Sequence, residues 1–267
     1  MNTLRNTLGA LCAVLVAASI QAADPMGTLH NVNGGQTRGK LQWRNAAKEY
    51  VVTTDRGTFT FPADQVASVD VDRPAVLDGA IKRVQSGSAL ASAVKTLEEI
   101  AKDYRHLTYD KEATQWLATA YLKEGKAAEA IKACETVIRD DPTAAYTGAM
   151  AVQYWEALIK DGKSGTQLNR HLEKAIASGD KVAAASALVA RGDAIMARGT
   201  SRANCEEALR DGYLRVILLY ADPATDAYPA ALYKGAQAFD GMGQGARAGK
   251  LRETLKSACP NSDWARK

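Results

Sequence analysis

The residues whose types could perform chemistry are few, and their spacing keeps them apart. The chain has 267 residues with only three His and four Cys. His30, His106 and His171 fall in different segments, whereas a zinc site needs clustered His and Cys ligands. The adjacent acids Glu98 and Glu99 diverge by about 100° on a helix with 3.6 residues per turn, which suits paired acid–base work poorly. The sequence therefore predicts no catalytic residue, no metal and no cofactor.

Two glycine-rich segments look like nucleotide-binding loops but lack the context that such loops need. The segment Gly241–Gly245 follows a helical pattern, whereas a dinucleotide-binding loop follows a strand. In Gly162-Lys163-Ser164, Ala157 stands where a phosphate-binding loop requires its first glycine. No serine has the Gly-x-Ser-x-Gly context of a hydrolase nucleophile. We interpret both segments as turns between helices, and we expect a protein that is not an enzyme.

Composition and charge exclude a further class of function. Lys and Arg total 34 against 30 Asp and Glu, which gives a formal net charge of +4. A nucleic-acid-binding surface would appear as a strongly basic, clustered face, and the charges here are mixed along the chain. Hydrophobic residues make up 46% and aromatic residues only 6%, so the apolar content comes mostly from Ala, Leu and Val. The composition favours Ala-rich helices and no nucleic-acid partner.

The first residues predict an exported protein. Residues 1–23 carry one cation, Arg5, followed by an apolar run over Leu8–Ile20 and then small residues. The run is too short for a transmembrane helix of about 20 residues, and the order of these regions is that of a cleavable signal peptide. Cleavage is expected after Ala22 or Ala23, and an uncleaved membrane anchor is the alternative. The predicted location is the periplasm or the exterior of the cell, with no transmembrane segment in the mature form.

The cysteines fit an exported protein without fixing a disulfide. Cys12 lies in the apolar run and lacks the residues that precede a lipidated cysteine. Cleavage would leave Cys134, Cys205 and Cys259, an odd number, so at least one thiol is unpaired. Cys134 falls on an apolar helical stripe and is predicted to be a core residue. Cys205 and Cys259 could pair, and the sequence leaves that open.

Residues 24–73 predict a small β module. Short β-branched and aromatic runs alternate with Gly, Asn and Asp breaks, as in antiparallel strands joined by tight turns. The layout of Gly39-Lys40-Leu41-x-Trp43 with its following strands resembles an SH3-like or Sm-like small barrel. Some such barrels bind RNA, which export argues against, and Trp43, Phe59 and Phe61 are interpreted as core. The expected strands lie near 27–32, 36–44, 49–54, 57–62 and 67–72.

Residues 74–267 predict an array of helix hairpins. The units at 111–144 and 229–262 repeat small, apolar, Gly and Pro residues at one spacing, and three degenerate units accompany them. The first unit carries Leu117, Ala118, Tyr121, Gly125, Ala130, Cys134, Val137 and Pro142; the second carries Gly235, Ala236, Phe239, Gly243, Ala248, Leu255 and Pro260. This pattern resembles the tetratricopeptide repeat family. The expected fold is mainly α, an α-solenoid of about five tetratricopeptide hairpins preceded by a small antiparallel β barrel or sheet.

The last part of the array resembles repeats of exported bacterial proteins. The segments Tyr213–Tyr220 and Cys259–Trp264 are similar to repeats in Tol–Pal-associated and outer-membrane-assembly factors. The chain carries Cys259 where those repeats usually have Tyr, and it lacks the lipobox of the lipidated members. The resemblance implies a protein of the cell envelope.

The same resemblance implies a binding groove lined by the first helix of each repeat. The groove positions of the family map onto a mixture of polar, charged and apolar residues, as a peptide-binding surface requires. We therefore expect a non-enzymatic scaffold or adaptor that binds an envelope protein or peptide; the alternative is a module that binds a cell-wall glycan or peptide. The candidate residues are Glu112, Gln115, Thr119, Leu122, Lys123, Val189, Asp193, Met196, Ala230, Tyr233, Gln237 and Asp240.

Overall fold

The computed structural model describes residues 24–267, and the predicted signal peptide, residues 1–23, lies outside the described residues. The described chain begins with five antiparallel strands in the order β4-β3-β2-β1-β5. The strand positions agree with those expected from the alternating sequence. The strands are β1 (Met26–Asn31), β2 (Gln36–Arg44), β3 (Glu49–Thr54), β4 (Gly57–Pro62) and β5 (Val66–Val71).

The sheet is open, so a closed β barrel is a wrong expectation. β4 pairs only with β3 and β5 only with β1, which leaves both as edge strands. The physical reason is the helical region: Leu29, Leu41 and Val52 on the inner face share one core with helix residues such as Leu77 and Leu97. Because the helices cover the apolar face, the sheet has no need to roll up around it.

Eleven α-helices follow in the described part of the chain, which confirms a mainly helical fold after an N-terminal β module. A short π-helical segment, Leu209–Tyr213, joins the eighth helix to the ninth. The helices are α1 (Leu77–Ser86), α2 (Leu90–Asp103), α3 (Asp110–Lys123), α4 (Ala127–Asp140), α5 (Gly148–Lys160), α6 (Thr166–Ala177), α7 (Lys181–Met196), α8 (Arg202–Ala208), α9 (Leu214–Leu219), α10 (Ala227–Gly241) and α11 (Gly245–Ala258).

Helices that follow one another in the chain pack together, as in α1 on α2, α3 on α4, α6 on α7 and α10 on α11. A second set of contacts links α1 to α3, α3 to α5, α5 to α7 and α7 to α10. Helix α7 is buried around most of its circumference, because its many alanine side chains let the neighbouring helices approach closely. No helix within residues 24–267 combines the length and apolar character that crossing a bilayer requires.

The three cysteines of the described region are buried and unpaired. Cys134 of α4 lies in the core that helices α3 to α7 share, as its position on an apolar stripe predicts. Cys205 and Cys259 belong to different apolar clusters. The disulfide that the sequence left open between these two residues is therefore absent from the fold.

Candidate functional site

The predicted groove residue Glu112 holds the β module against the third helix. The Arg73 guanidinium, just after β5, donates to Glu112 Oε2 at 2.8 Å and to Asp78 Oδ1 at 2.7 Å. The same guanidinium lies over the ring of Tyr109, 5.3 Å from its centroid. Glu112 is thus engaged within the molecule, and the linker between sheet and helices is fixed at this point.

Lys123 at the end of α3 also has an internal role. Its Nζ donates to the main-chain oxygens of Val84 at 2.6 Å and Gln85 at 3.0 Å. These carbonyls lie in the last turn of α1, where the regular helical bonds run out and Val84 accepts only the N–H of Gly87, at 3.2 Å, from the main chain. Lys123 therefore caps α1 with a positive charge at its negative end.

Gln115 and Thr119 are predicted α3 groove residues whose side chains form no hydrogen bond to another described element. Both side chains are half-buried, and the Thr119 hydroxyl donates to the main-chain oxygen of Gln115 at 3.0 Å. Within the described region the side-chain amide of Gln115 has no hydrogen-bond partner in the protein. Unlike Glu112 and Lys123, whose charged groups bond to other elements, this pair is free to contact a ligand.

On α7, the predicted groove residue Asp193 forms a network with Tyr213 and Lys234. The Tyr213 hydroxyl donates to Asp193 Oδ1 at 2.8 Å, and Lys234 Nζ donates to Oδ2 at 2.5 Å. The side chains of Asp193 and Lys234 are only 28% and 23% exposed. Burial, together with the Asp193 charge, raises the pKa of Tyr213 above its ordinary value, so its hydroxyl remains a donor. The Asp193 network joins α7 to α10.

The α10 groove residues differ in their availability. The Tyr233 ring packs against Trp264 at a centroid distance of 5.4 Å, and Trp264 Nε1 donates to Asp226 Oδ1 at 2.9 Å. Asp240 forms an ion pair with Arg252 of α11. Gln237 is exposed. The structure thus brings Asp193 close to the α10 residues through Lys234, while the α3 residues make a separate set of contacts.

A polar cavity of about 440 Å³ at the junction of the sheet and the helices was not foreseen from the sequence. We call it the junction cavity. It is enclosed by β5, by the loop between α2 and α3, and by the start of α3 and the end of α4. Its polar and strand residues are Tyr50, Val66, Ala67, Ser68, Val69, Arg105, His106, Thr108, Asp110, Lys111, Asp140 and Asp141.

Three carboxylates and two cations line the junction cavity. Arg105 contacts Asp140 at 2.5 Å, and Lys111 contacts Asp141 at 2.6 Å. The bond from Lys111, with one from Thr143, lowers the pKa of Asp141 to about 2.

Asp110, which is 7% exposed, has no ion-pair partner among the described residues. Its carboxylate accepts the main-chain N–H groups of His106 at 3.0 Å and Lys111 at 2.7 Å. Burial raises the pKa of Asp110 above its ordinary value. Asp110 is therefore the one carboxylate among these three whose charge no direct cation partner balances.

His106 occupies an unusual position between the sheet and α4. Its φ is +59°, a left-handed conformation that is rare for residues with a side chain. The ring packs on Trp43 at 4.6 Å, and Nε2 lies 2.8 Å from Asp140 Oδ2 in poor alignment for a hydrogen bond. Burial lowers the pKa of His106, although Asp140 opposes that shift. The sequence carries no signal for this site, because its members come from four separate segments.

The lowered pKa of His106 predicts a loss of stability in weak acid. The unfolded histidine has a pKa near 6.5, so unfolding takes up a proton once the pH falls below that value. Burial lowers the pKa of His171 in the same direction. We expect the free energy of unfolding to fall between pH 7.5 and 5.5, by at most about 1.4 kcal/mol per pH unit for each histidine.

Urea unfolding at several pH values measures this dependence. The variant His106→Asn suits the comparison, because Asn tolerates a left-handed backbone and does not titrate. We expect a shallower dependence on pH in this variant. An unchanged slope would contradict the assignment of His106 as a neutral buried group.

The two glycine-rich segments are turns between helices, as predicted. Gly162 has a φ of +72° between α5 and α6, and Gly243 has a φ of +73° between α10 and α11. Both glycines end their helices in the left-handed conformation that favours glycine. Residues 24–267 contain no group of His, Cys, Asp and Glu side chains arranged to hold a metal.

No protein-family model, curated protein or solved structure matches the chain. The candidate sites are therefore defined by this chain's own residues and contacts.

Proposed function

We propose that the protein is an exported, non-enzymatic scaffold whose helices form a tetratricopeptide-like array that binds an envelope protein or peptide. The observation that carries this proposal is the second set of helix contacts, in which α1, α3, α5, α7 and α10 touch one another in chain order. An array of that kind places one face of each of these helices along a shared surface. We expect a surface shared by five helices to bind a peptide segment rather than a small molecule.

The chemistry of the available residues supports a peptide ligand. Gln115 and Thr119 on α3 and Gln237 on α10 offer uncharged polar groups. At the corresponding positions of α5, Val152 is half-buried and Glu156 is exposed. Such a mixture suits a peptide, because amides and hydroxyls bond its main chain while apolar side chains contact its residues.

The internal contacts of the other predicted groove residues support a rigid surface. Two contacts hold α3 in place: the ion pair of Arg73 with Glu112, and the hydrogen bond from Lys123 to the end of α1. The Asp193 network does the same between α7 and α10. A surface that is ordered before binding loses less conformational entropy when the partner arrives. In this proposal Glu112, Lys123 and Asp193 position the surface, and Gln115, Thr119 and Gln237 contact the partner.

A pull-down experiment tests the scaffold against the glycan-binding alternative. The mature protein is immobilised and incubated with envelope extract in one arm and with isolated peptidoglycan in the other. We expect a specific protein to be recovered from the extract, and recovery of peptidoglycan alone would contradict the scaffold. The variant Gln115→Arg with Gln237→Arg should reduce recovery of the protein by at least about tenfold.

The matched control is Asn169→Arg, which places the same residue at an exposed position of α6. Since α6 lies outside the chain of contacts from α1 to α10, we expect the control to bind like the unmodified protein. Equal loss in both variants would indicate a general effect of added charge and would count against the groove.

Export is tested separately by mass spectrometry of the protein purified from its native cells. We expect the N-terminus to lie at Ala23 or Asp24, after loss of the apolar segment. An intact Met1 in a cytosolic fraction would contradict export.

A further inference from the structure

We propose that the junction cavity is a second peptide site, which binds an extended segment carrying a Lys or Arg side chain. In this site the main chain of the segment adds to the free edge of β5, and its cationic side chain enters the cavity toward Asp110. The site is distinct from the groove of the proposed function, because none of the residues that line it is a groove candidate.

The cavity is lined by the edge of β5 and not by one of its faces. A sheet face contributes every second residue to a cavity, because side chains alternate along a strand. Here Val66, Ala67, Ser68 and Val69 all contribute, and they are consecutive. β5 pairs only with β1, so its other edge is open to an added strand.

The register shows which main-chain groups face the cavity. The N–H of Asp72 donates to Met26 of β1, so alternate residues of β5 bond toward β1 and those between them point away. Val69 belongs to the second set: its oxygen accepts the Thr108 hydroxyl from the helical side at 3.4 Å. The same alternation places Ala67, next to the shift in register at His30 and Asn31, in this outward set. Ala67 thus offers its N–H and its carbonyl to an incoming strand, and Val69 offers its N–H.

The charge of the lining selects a cationic side chain. The charged lining residues are three carboxylates and two cations. Both cations are already paired, Arg105 with Asp140 and Lys111 with Asp141. With His106 neutral, the lining carries one negative charge in excess, which Asp110 holds without a direct cation partner. One Lys or Arg side chain would balance that charge, whereas an acidic side chain would add to it in a partly enclosed space.

The cavity is the right size for one such side chain with its main chain. Small-molecule and cofactor sites span about 300–1,000 Å³, and this cavity, at about 440 Å³, falls in that range. One wall is fixed by the left-handed backbone of His106, which is held by Trp43 and by the Tyr50 hydroxyl at 3.4 Å from its oxygen. Residues kept in sparsely populated conformations often mark sites of function.

Fluorescence polarisation with three labelled peptides tests this site on the full mature chain. The probes are acetylated and amidated Thr-Val-Xaa-Val-Thr, where Xaa is Lys, Glu or norleucine. We expect the Lys peptide to bind at least about tenfold more tightly than either of the others. No binding of the Lys peptide at millimolar concentration, or equal binding of the Lys and Glu peptides, would overturn the proposal.

The variant Ala67→Pro removes the outward N–H and blocks strand addition, and Pro is tolerated at an edge strand where that N–H has no partner. We expect this variant to bind the Lys peptide at least tenfold more weakly than the unmodified protein does. The control is Thr60→Pro in β4. The N–H of Ala63, just after β4, donates to the oxygen of Lys48, just before β3. Because the direction alternates along the strand, the N–H of Thr60 points to the opposite, free edge of the sheet. Unchanged binding in Ala67→Pro, or equal loss in Thr60→Pro, would overturn the proposal.

A second variant covers the case in which Ala67→Pro does not fold. Asp110→Asn removes the charge and keeps one acceptor oxygen, so it retains one of the two bonds that the N–H groups of His106 and Lys111 donate to the separate carboxylate oxygens. We expect it to abolish the preference for Lys over norleucine. A retained preference would overturn the role of Asp110. The groove variant Gln115→Arg with Gln237→Arg should leave binding of the Lys peptide unchanged, which separates this site from the proposed function.

Discussion

Replacing Gly212 with alanine is expected to lower the free energy of unfolding by about 2–3 kcal/mol, because the π-helical segment has no room for a methyl group. A Cβ at Gly212 would lie 2.8 Å from the Cα of Gly192 and 2.9 Å from the main-chain oxygen of Leu188. These contacts are with main-chain atoms of α7, which cannot move aside without shifting the helix. Thermal or urea unfolding measures the effect.

The matched control is Gly249→Ala on α11. A Cβ at Gly249 meets no atom within 4 Å, and the residue lies inside a helix. Alanine there should raise stability by about 0.5–1 kcal/mol, since it favours the helix more than glycine does. If Gly212→Ala were as stable as the unmodified protein, that result would contradict the close packing of the π-helical segment against α7.

Removing the carboxylate of Asp193 is expected to cost about 2 kcal/mol, even though the sequence pattern places this residue on a ligand-binding surface. Asp193→Ala leaves the Tyr213 hydroxyl and the Lys234 ammonium without their acceptor in a largely buried position. Burying an unpaired polar group costs about 1–3 kcal/mol, and more for a charged one. The measurement is urea unfolding of the variant.

A double-mutant cycle shows whether this cost arises within the Asp193 network. Lys234→Met removes the cation and keeps the aliphatic stem, so the double variant no longer leaves a buried charge unpaired. We expect the double variant to lose less stability than the sum of the two single variants, by about 1 kcal/mol. Strict additivity would mean that Asp193 and Lys234 do not interact in solution.

The sequence predicts the elements of this fold better than it predicts their contacts. Alternation in Thr58-Phe59-Thr60-Phe61 places β4 correctly, and the repeated spacing of small residues places α3, α4, α10 and α11. These features follow from local periodicity, which can be read from the residues of each segment alone. Whether the sheet closes depends instead on what covers Leu29 and Leu41, and that is decided by helices far along the chain.

The sequence also fails to predict the contacts of the candidate sites. The family pattern assigns Glu112 and Lys123 to the groove, but each finds an internal partner, in Arg73 and at the end of α1. A pattern of positions along one helix cannot reveal a partner from another element. The junction cavity was missed for a related reason: Tyr50, Ala67, His106 and Asp140 belong to four segments, and no spacing in the sequence connects them.

The most direct test of the proposed groove is photo-crosslinking in the cells that produce the protein. A benzophenone amino acid is placed at Gln115 or Gln237 in the groove, and at Asn169 on α6 as the control. We expect both groove positions to crosslink to the same envelope protein and Asn169 to give no crosslink to it. Crosslinks to that protein from Asn169 alone, or no crosslink from either groove position, would contradict the proposal that the first helices form the binding surface.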